Sequence, residues 1–158
     1  MIKPTRQHKH DGSYELVLLT RGAGYHTIDD SLYEVRPPLF HILKPGQVHC
    51  WDFSQIPTGF VLMVREDFMG TAPGIREKLY DLPVEIHLQE VDAYLALYEQ
   101  CYREYQEQPE QTDTLEAYLN LIIIKLHHQI RAQPVIDFPA KHTFYQFKKL
   151  VDQHFRQY

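Results

Sequence analysis

Turn signals recur every 8–12 residues through the first 64 positions, and that spacing suits an antiparallel β-sandwich or barrel. Glu15-Leu16-Val17-Leu18-Leu19-Thr20 reads as a buried strand and Arg21-Gly22-Ala23-Gly24 as the hairpin turn that ends it. Tyr25-His26-Thr27-Ile28 is a second strand, Asp29-Asp30-Ser31 turns the chain again, and Leu32-Tyr33-Glu34-Val35 follows. Pro37-Pro38 breaks the chain before Leu39-Phe40-His41-Ile42-Leu43, Pro45-Gly46 turns it, and residues 48–53 and 60–64 complete the set.

The pattern changes near residue 90. Val91, Leu95, Tyr98, Tyr102 and Tyr105 step by 4, 3, 4 and 3 and so mark one helical face. A second helix begins at Thr112-Asp113, with Asp113 as N-cap and Glu116 completing a capping box. Its seam is Leu115, Leu119, Ile122, Leu126 and Ile130, and Tyr118, Leu121, Ile123 and Ile124 widen the apolar arc. A helix this apolar needs partners on more than one side, and a small barrel offers one helix-packing face. A homodimer is therefore expected, contacting through Leu115, Leu119, Ile122, Ile123, Leu126 and Ile130. Residues 133–139 form a proline-containing linker. Phe144, Phe147, Val151 and Phe155 then mark a third amphipathic segment, which ends at Gln157-Tyr158 without a stop signal and reads as cut. The expected division is 1–88 for the barrel, 89–133 for the paired helices and 134–158 for linker and tail.

Composition excludes several classes. A chain of 158 residues, 44% hydrophobic and 23% charged, is one globular domain or one domain with an appendage. No apolar run approaches the ~20 residues of a membrane span, and no apolar h-region follows Met1, so a cytoplasmic location is expected. Cys50 and Cys101 make neither a disulfide framework nor a zinc cluster. With 16 Lys and Arg against 21 Asp and Glu, the net charge of −5 argues against binding nucleic acid by bulk charge.

Ten histidines are more informative for their placement than for their number. His8 and His10 point to one side of an extended strand, Glu15 lies five residues beyond His10, and His49 closes the Pro45-Gly46 turn. Three imidazoles and a carboxylate could complete a divalent metal site with open positions, and the donors suit Fe, Mn, Ni, Cu or Zn without choosing among them. The competing reading has the same groups hydrogen-bonding an organic effector. Trp51 and Phe53 share the parity of His49, and Tyr25 and Tyr33 could join them in an aromatic-lined pocket. His26 and His41 read as strand-surface residues, and His127, His128, His142 and His154 as solvated positions. Cys50 alternates away from His49 and reads as a buried small apolar residue. No spacing supports a Ser-His-Asp or Cys-His nucleophile or a phosphate loop, so no catalytic residue is assigned.

The chain resembles the cupin superfamily: His8, His10, Glu15 and Gly22 fit its first motif, and Pro45, Gly46 and His49 its second. Lys44 stands where that family usually has proline and Phe53 where it has asparagine. The finer resemblance is to the N-terminal effector-binding and dimerisation domain of AraC-family transcription regulators. It is carried by His8-Lys9-His10-Asp11, Tyr14-Glu15-Leu16-Val17-Leu18, Gly22-Ala23-Gly24 and Pro45-Gly46-Gln47-Val48-His49, followed by Trp51-Asp52-Phe53. The resemblance implies a mainly β fold with α: a single-domain, cupin-like antiparallel β-barrel (jelly roll), two antiparallel dimerisation helices and a C-terminal linker helix. It implies a small-molecule effector, a sugar or a small organic acid, held by His8, His10, Glu15, Tyr25, His49, Trp51 and Phe53. It also implies a homodimer, and DNA contact only through helix-turn-helix units outside this sequence. No cofactor is required on this reading. The alternative is a metal-dependent cupin enzyme, a dioxygenase or isomerase, with its ion on His8, His10, Glu15 and His49; the paired helices and tail count against it. A plain dimerisation scaffold is a third reading.

Overall fold

The structure, a computed structural model, describes residues 2–69 and 74–132. The linker, the segment at 144–158, His142 and His154 lie outside the described residues. Five strands and three helices follow in order: β1 (Ser13–Ile28), β2 (Ser31–Val35), β3 (Leu39–Leu43), β4 (His49–Arg65), α1 (Ile75–Asp81), β5 (Glu85–His87), α2 (Asp92–Glu107) and α3 (Thr112–Ala132).

β1 and β4 form a long antiparallel ribbon running from Ser13 opposite Arg65 to Ile28 opposite His49. Each therefore joins two runs expected to be separate strands, and Arg21-Gly22-Ala23-Gly24 is not a hairpin turn. Pairing with β4 continues past the glycines through register shifts between Leu19 and Gly24. Gly22 and Gly24 have φ of 119° and 141°, and a Cβ on Gly24 would lie 2.2 Å from the Asp52 carbonyl oxygen. The glycines thus bend a bulged ribbon where two backbones nearly touch.

β1 is the spine of the half-barrel. Its first half pairs with β3, its second half with β2, and β5 extends β3, all antiparallel. The expected cupin-like barrel followed by helices is what the chain forms. Alternation along β1 builds two layers. Tyr14, Leu16 and Leu18 join Phe40, Ile42, Val64 and the helices in the larger core. Val17 and Leu19 join Ile28, Val35, Leu39 and Leu43 on the opposite, inner face. Leu16, Leu18, Phe40 and Ile42 are fully buried, each such side chain contributing about 1.5–3 kcal/mol.

The helices correct three expectations. α2 buries Tyr94, Tyr98 and Cys101, while Tyr102 and Tyr105 are 60% and 58% exposed, so its packed face is rotated from the expected stripe. α3 starts two residues earlier than an Asp113 cap requires: Leu115 N–H bonds the Gln111 carbonyl, and the Asp113 carboxylate accepts from Thr114 N–H inside the first turn. Leu115, Leu119, Ile122, Ile123 and Leu126 are buried in the chain's own core, and Ile130 packs beside them. The set assigned to a partner copy is thus consumed internally, because α3 packs against α1 and α2 as well as the sheet. No described helix is long and apolar enough to cross a membrane.

Candidate functional site

The site is assembled where the N-terminal segment crosses the start of β4. His8 and His49 exchange two backbone hydrogen bonds of 3.0 and 2.8 Å, Thr5 N–H bonds the Trp51 carbonyl, and Gly46 N–H bonds the His10 carbonyl. This pairing sets His8 and His10 beside His49, and candidate ligand atoms of the three lie within 4.8 Å of one another. Glu15 reaches in from β1, with Oε1 2.7 Å from His10 Nε2 and 3.9 Å from His49 Nε2. The four residues singled out from motif spacing are therefore neighbours in space.

The structure corrects the reading of His26 and His41, which are fully buried rather than on the strand surface. The ribbon register sets His26 opposite Trp51 and Ile28 opposite His49, so His26 shares the inner face. Its Nδ1 lies 2.8 Å from His41 Nδ1 and its Nε2 lies 3.0 Å from His49 Nδ1. His41 Nε2 lies 3.2 Å from Glu85 Oε2. Trp51 stacks on His26 with ring centroids 3.4 Å apart, and Phe53 stacks on Trp51 at 4.9 Å. Tyr33 meets His41 edge-on. Tyr25 pairs with Asp52 at the opposite parity and is half exposed, so it stands outside this group. Cys50 also has that parity and is half-buried rather than fully enclosed. The missed signals were a histidine at the centre of the wholly buried strand β3, and Glu85 on a strand of three residues.

Burial dominates the electrostatics. It pushes His26 down to about 2, with neighbouring His41 and His49 adding to the shift. It pushes His49 down to about 4, helped by His8 and His10. Both imidazoles are therefore neutral at pH 7. Burial raises the Glu15 carboxyl, and His10 and His8 oppose it. At Glu85 burial also raises the pKa, but hydrogen bonding and charge from His41 and His87 outweigh it and hold the carboxyl below its ordinary value.

Three imidazoles and one carboxylate match the donor set of a divalent transition metal, and the buried His49 Nε2 has no hydrogen-bond partner. Met63 pairs with Glu15 and Val61 with Val17; both are exposed and give the polar cluster an apolar flank. A cavity of about 470 Å³ runs between β4 and the helices and is lined by Phe60, Leu62, Tyr98, Tyr102 and Leu119 among others.

An antiparallel half-barrel with polar groups gathered on its inner face and helices packed outside defines a cupin-like ligand-binding barrel. More narrowly, the chain belongs to the AraC-like ligand binding domain family, whose model matches residues 4–123. No curated protein matches the chain. The family points to a regulatory role rather than an enzymatic one.

Proposed function

We propose that this chain is the sensing and dimerising part of an AraC-type transcription regulator. It takes a small-molecule effector at the inner face and relays occupancy to a DNA-binding domain outside this sequence. The observation supporting the relay is that residues 14–19 of β1 serve both layers. Glu15 faces the histidine cluster, while the next residue, Leu16, lies in the helix-facing core and accepts a buried 3.0 Å hydrogen bond from the Tyr98 hydroxyl of α2. A ligand that shifts Glu15 therefore loads the strand on which α2 rests, which is the differential contact that coupling between sites requires. The acceptors Glu15 and His49 Nε2 beside the stacked Trp51 and Phe53 favour a ligand presenting hydroxyl donors on a flat face. A sugar meets that description directly; a small organic acid needs a cation between its carboxylate and Glu15. With the buried side of α3 consumed, a homodimer would use its outer side, where Leu121 is 45% exposed.

Isothermal titration of the chain against sugars and small organic acids tests the reading. An effector that loses about 10- to 100-fold in affinity with Glu15→Gln supports it, as expected for a lost charge-assisted hydrogen bond. A compound that binds both proteins equally sites the effector elsewhere and overturns the assignment.

The donor geometry favours one second reading, a metal-dependent cupin enzyme. His8, His10, His49 and Glu15 would hold the ion, which would supply Lewis-acid polarisation of a bound oxygen.

A further inference from the structure

The buried imidazoles are joined end to end, and proton counting gives the chain a direction. Glu85 is ionised at neutral pH and can only accept, so the 3.2 Å contact requires His41 to carry its proton on Nε2. With that one proton on its ring, His41 presents a bare Nδ1 to His26. The facing nitrogens, 2.8 Å apart, accommodate one hydrogen, so His26 is protonated on Nδ1 and bare on Nε2. The 3.0 Å contact from His26 Nε2 to His49 Nδ1 then requires the proton on His49 Nδ1. His49 Nε2 is left as a bare lone pair, buried and without a hydrogen-bond partner, 3.9 Å from Glu15 Oε1. His8 is fixed in the same sense, because its Nδ1–H donates to the Arg6 carbonyl at 2.8 Å and frees Nε2.

We infer that Glu85, His41 and His26 are positioning residues: a one-way hydrogen-bonded relay that holds His49 with its Nε2 lone pair turned toward His8, His10 and Glu15, ready for a divalent transition metal. This rests on the reading of those four residues as the ligand site, and it adds three residues, one of them on the far strand β5, that no motif marks. A metal-ligating histidine ordinarily has one outer partner on its second nitrogen; here that partner is a chain of two imidazoles ending in a carboxylate. The ion would take up the space where His10 Nε2 and Glu15 Oε1 now lie 2.7 Å apart.

The first experiment needs neither variant nor metal. Long-range ¹H–¹⁵N correlation spectra of the chelator-treated protein at pH 7 identify the protonated nitrogen of each imidazole. His41 protonated on Nε2, with His26 and His49 protonated on Nδ1, is the expected result. A proton on His49 Nε2, or a doubly protonated His41, overturns the relay. The second experiment is a Co²⁺ titration followed by visible absorption. Wild type should bind one ion per chain. Glu85→Gln should weaken binding about 10- to 100-fold and shift His49 toward the Nε2-protonated form. Unchanged affinity in the variant, or no Co²⁺ binding by wild type, overturns the assignment. The effector titrations are a separate measurement, so loss of the sensing reading leaves the tautomer result standing.

Discussion

His26 makes the metal-free fold acid-sensitive in a way that can be worked out beforehand. Its pKa falls from an ordinary 6.5 in the unfolded chain to about 2 in the fold. Because the folded value is depressed, the unfolded state binds more protons below pH 6.5. The stabilising contribution is fully present above that pH and is lost progressively as pH falls toward 2. Between pH 7.5 and 5 a single such group removes about 2 kcal/mol, from 1.36 kcal/mol per unit of differential protonation. His49, lowered to about 4, acts in the same direction over the same window, and because the two rings touch, their joint effect stays below about 4 kcal/mol. Glu15, raised by burial, takes up its proton more readily in the fold than in the unfolded chain and so opposes this fall. Urea unfolding with EDTA present should show the midpoint falling by about 1 M or more across this window, for an m-value near 2 kcal/mol/M. His26→Phe retains a ring against Trp51 but cannot take up the proton, so its fall should be smaller by about 2 kcal/mol even where its absolute stability is lower. An equal fall in both proteins would refute the burial argument.

Gly24→Ala should cost at least about 2 kcal/mol in urea midpoint analysis, because the added Cβ meets the Asp52 carbonyl at 2.2 Å; Gly46→Ala, with open space around it, should cost only the strain of φ 80°. Leu121→Asp should turn a dimer into a monomer by sedimentation while changing chain stability little, whereas Ile122→Ala should cost about 2–4 kcal/mol, since Ile122 is fully buried in the core. Tyr98→Phe should cost about 1 kcal/mol for the lost bond to Leu16 and weaken transmission from effector to reporter gene in the full-length regulator, without a comparable loss of effector affinity.

The barrel was legible because alternation and turn residues act locally. The same locality misled at Gly22 and Gly24: a positive φ suits a turn and a bulge equally, and only pairing with β4, some 30 residues on, decides between them. His8, His10, Glu15 and His49 could be read because their spacing matches a known motif. His26 and His41 could not, because a lone histidine in a strand has no preferred face until its partner strand fixes the register. On α3 the width of the apolar arc was read correctly as a need for several partners. It could not say that α1, a seven-residue helix absent from the sequence reading, and α2 would supply them.

A fold that sets Glu15 and several imidazoles on its inner face gives up stability there. Glu15 is 5% exposed, its burial raises its pKa, and its nearest polar partner, His10, is only partly enclosed. Such a group stabilises a fold weakly or not at all, and apolar replacement of buried charge is often neutral or favourable by about 1–4 kcal/mol. Glu15→Leu should therefore be as stable as wild type or more so in urea at pH 7, although it removes the one carboxylate of the cluster. Val17, on the same face of the same strand, sets the comparison: Val17→Ala should cost about 1–3 kcal/mol for its buried methyl groups. A loss of more than about 2 kcal/mol in Glu15→Leu would make Glu15 a structural partner of His10 and His49, and its burial would then say nothing about a ligand. A stable variant that binds neither effector nor Co²⁺ would assign the burial of this carboxylate to recognition, since packing alone would have selected the leucine.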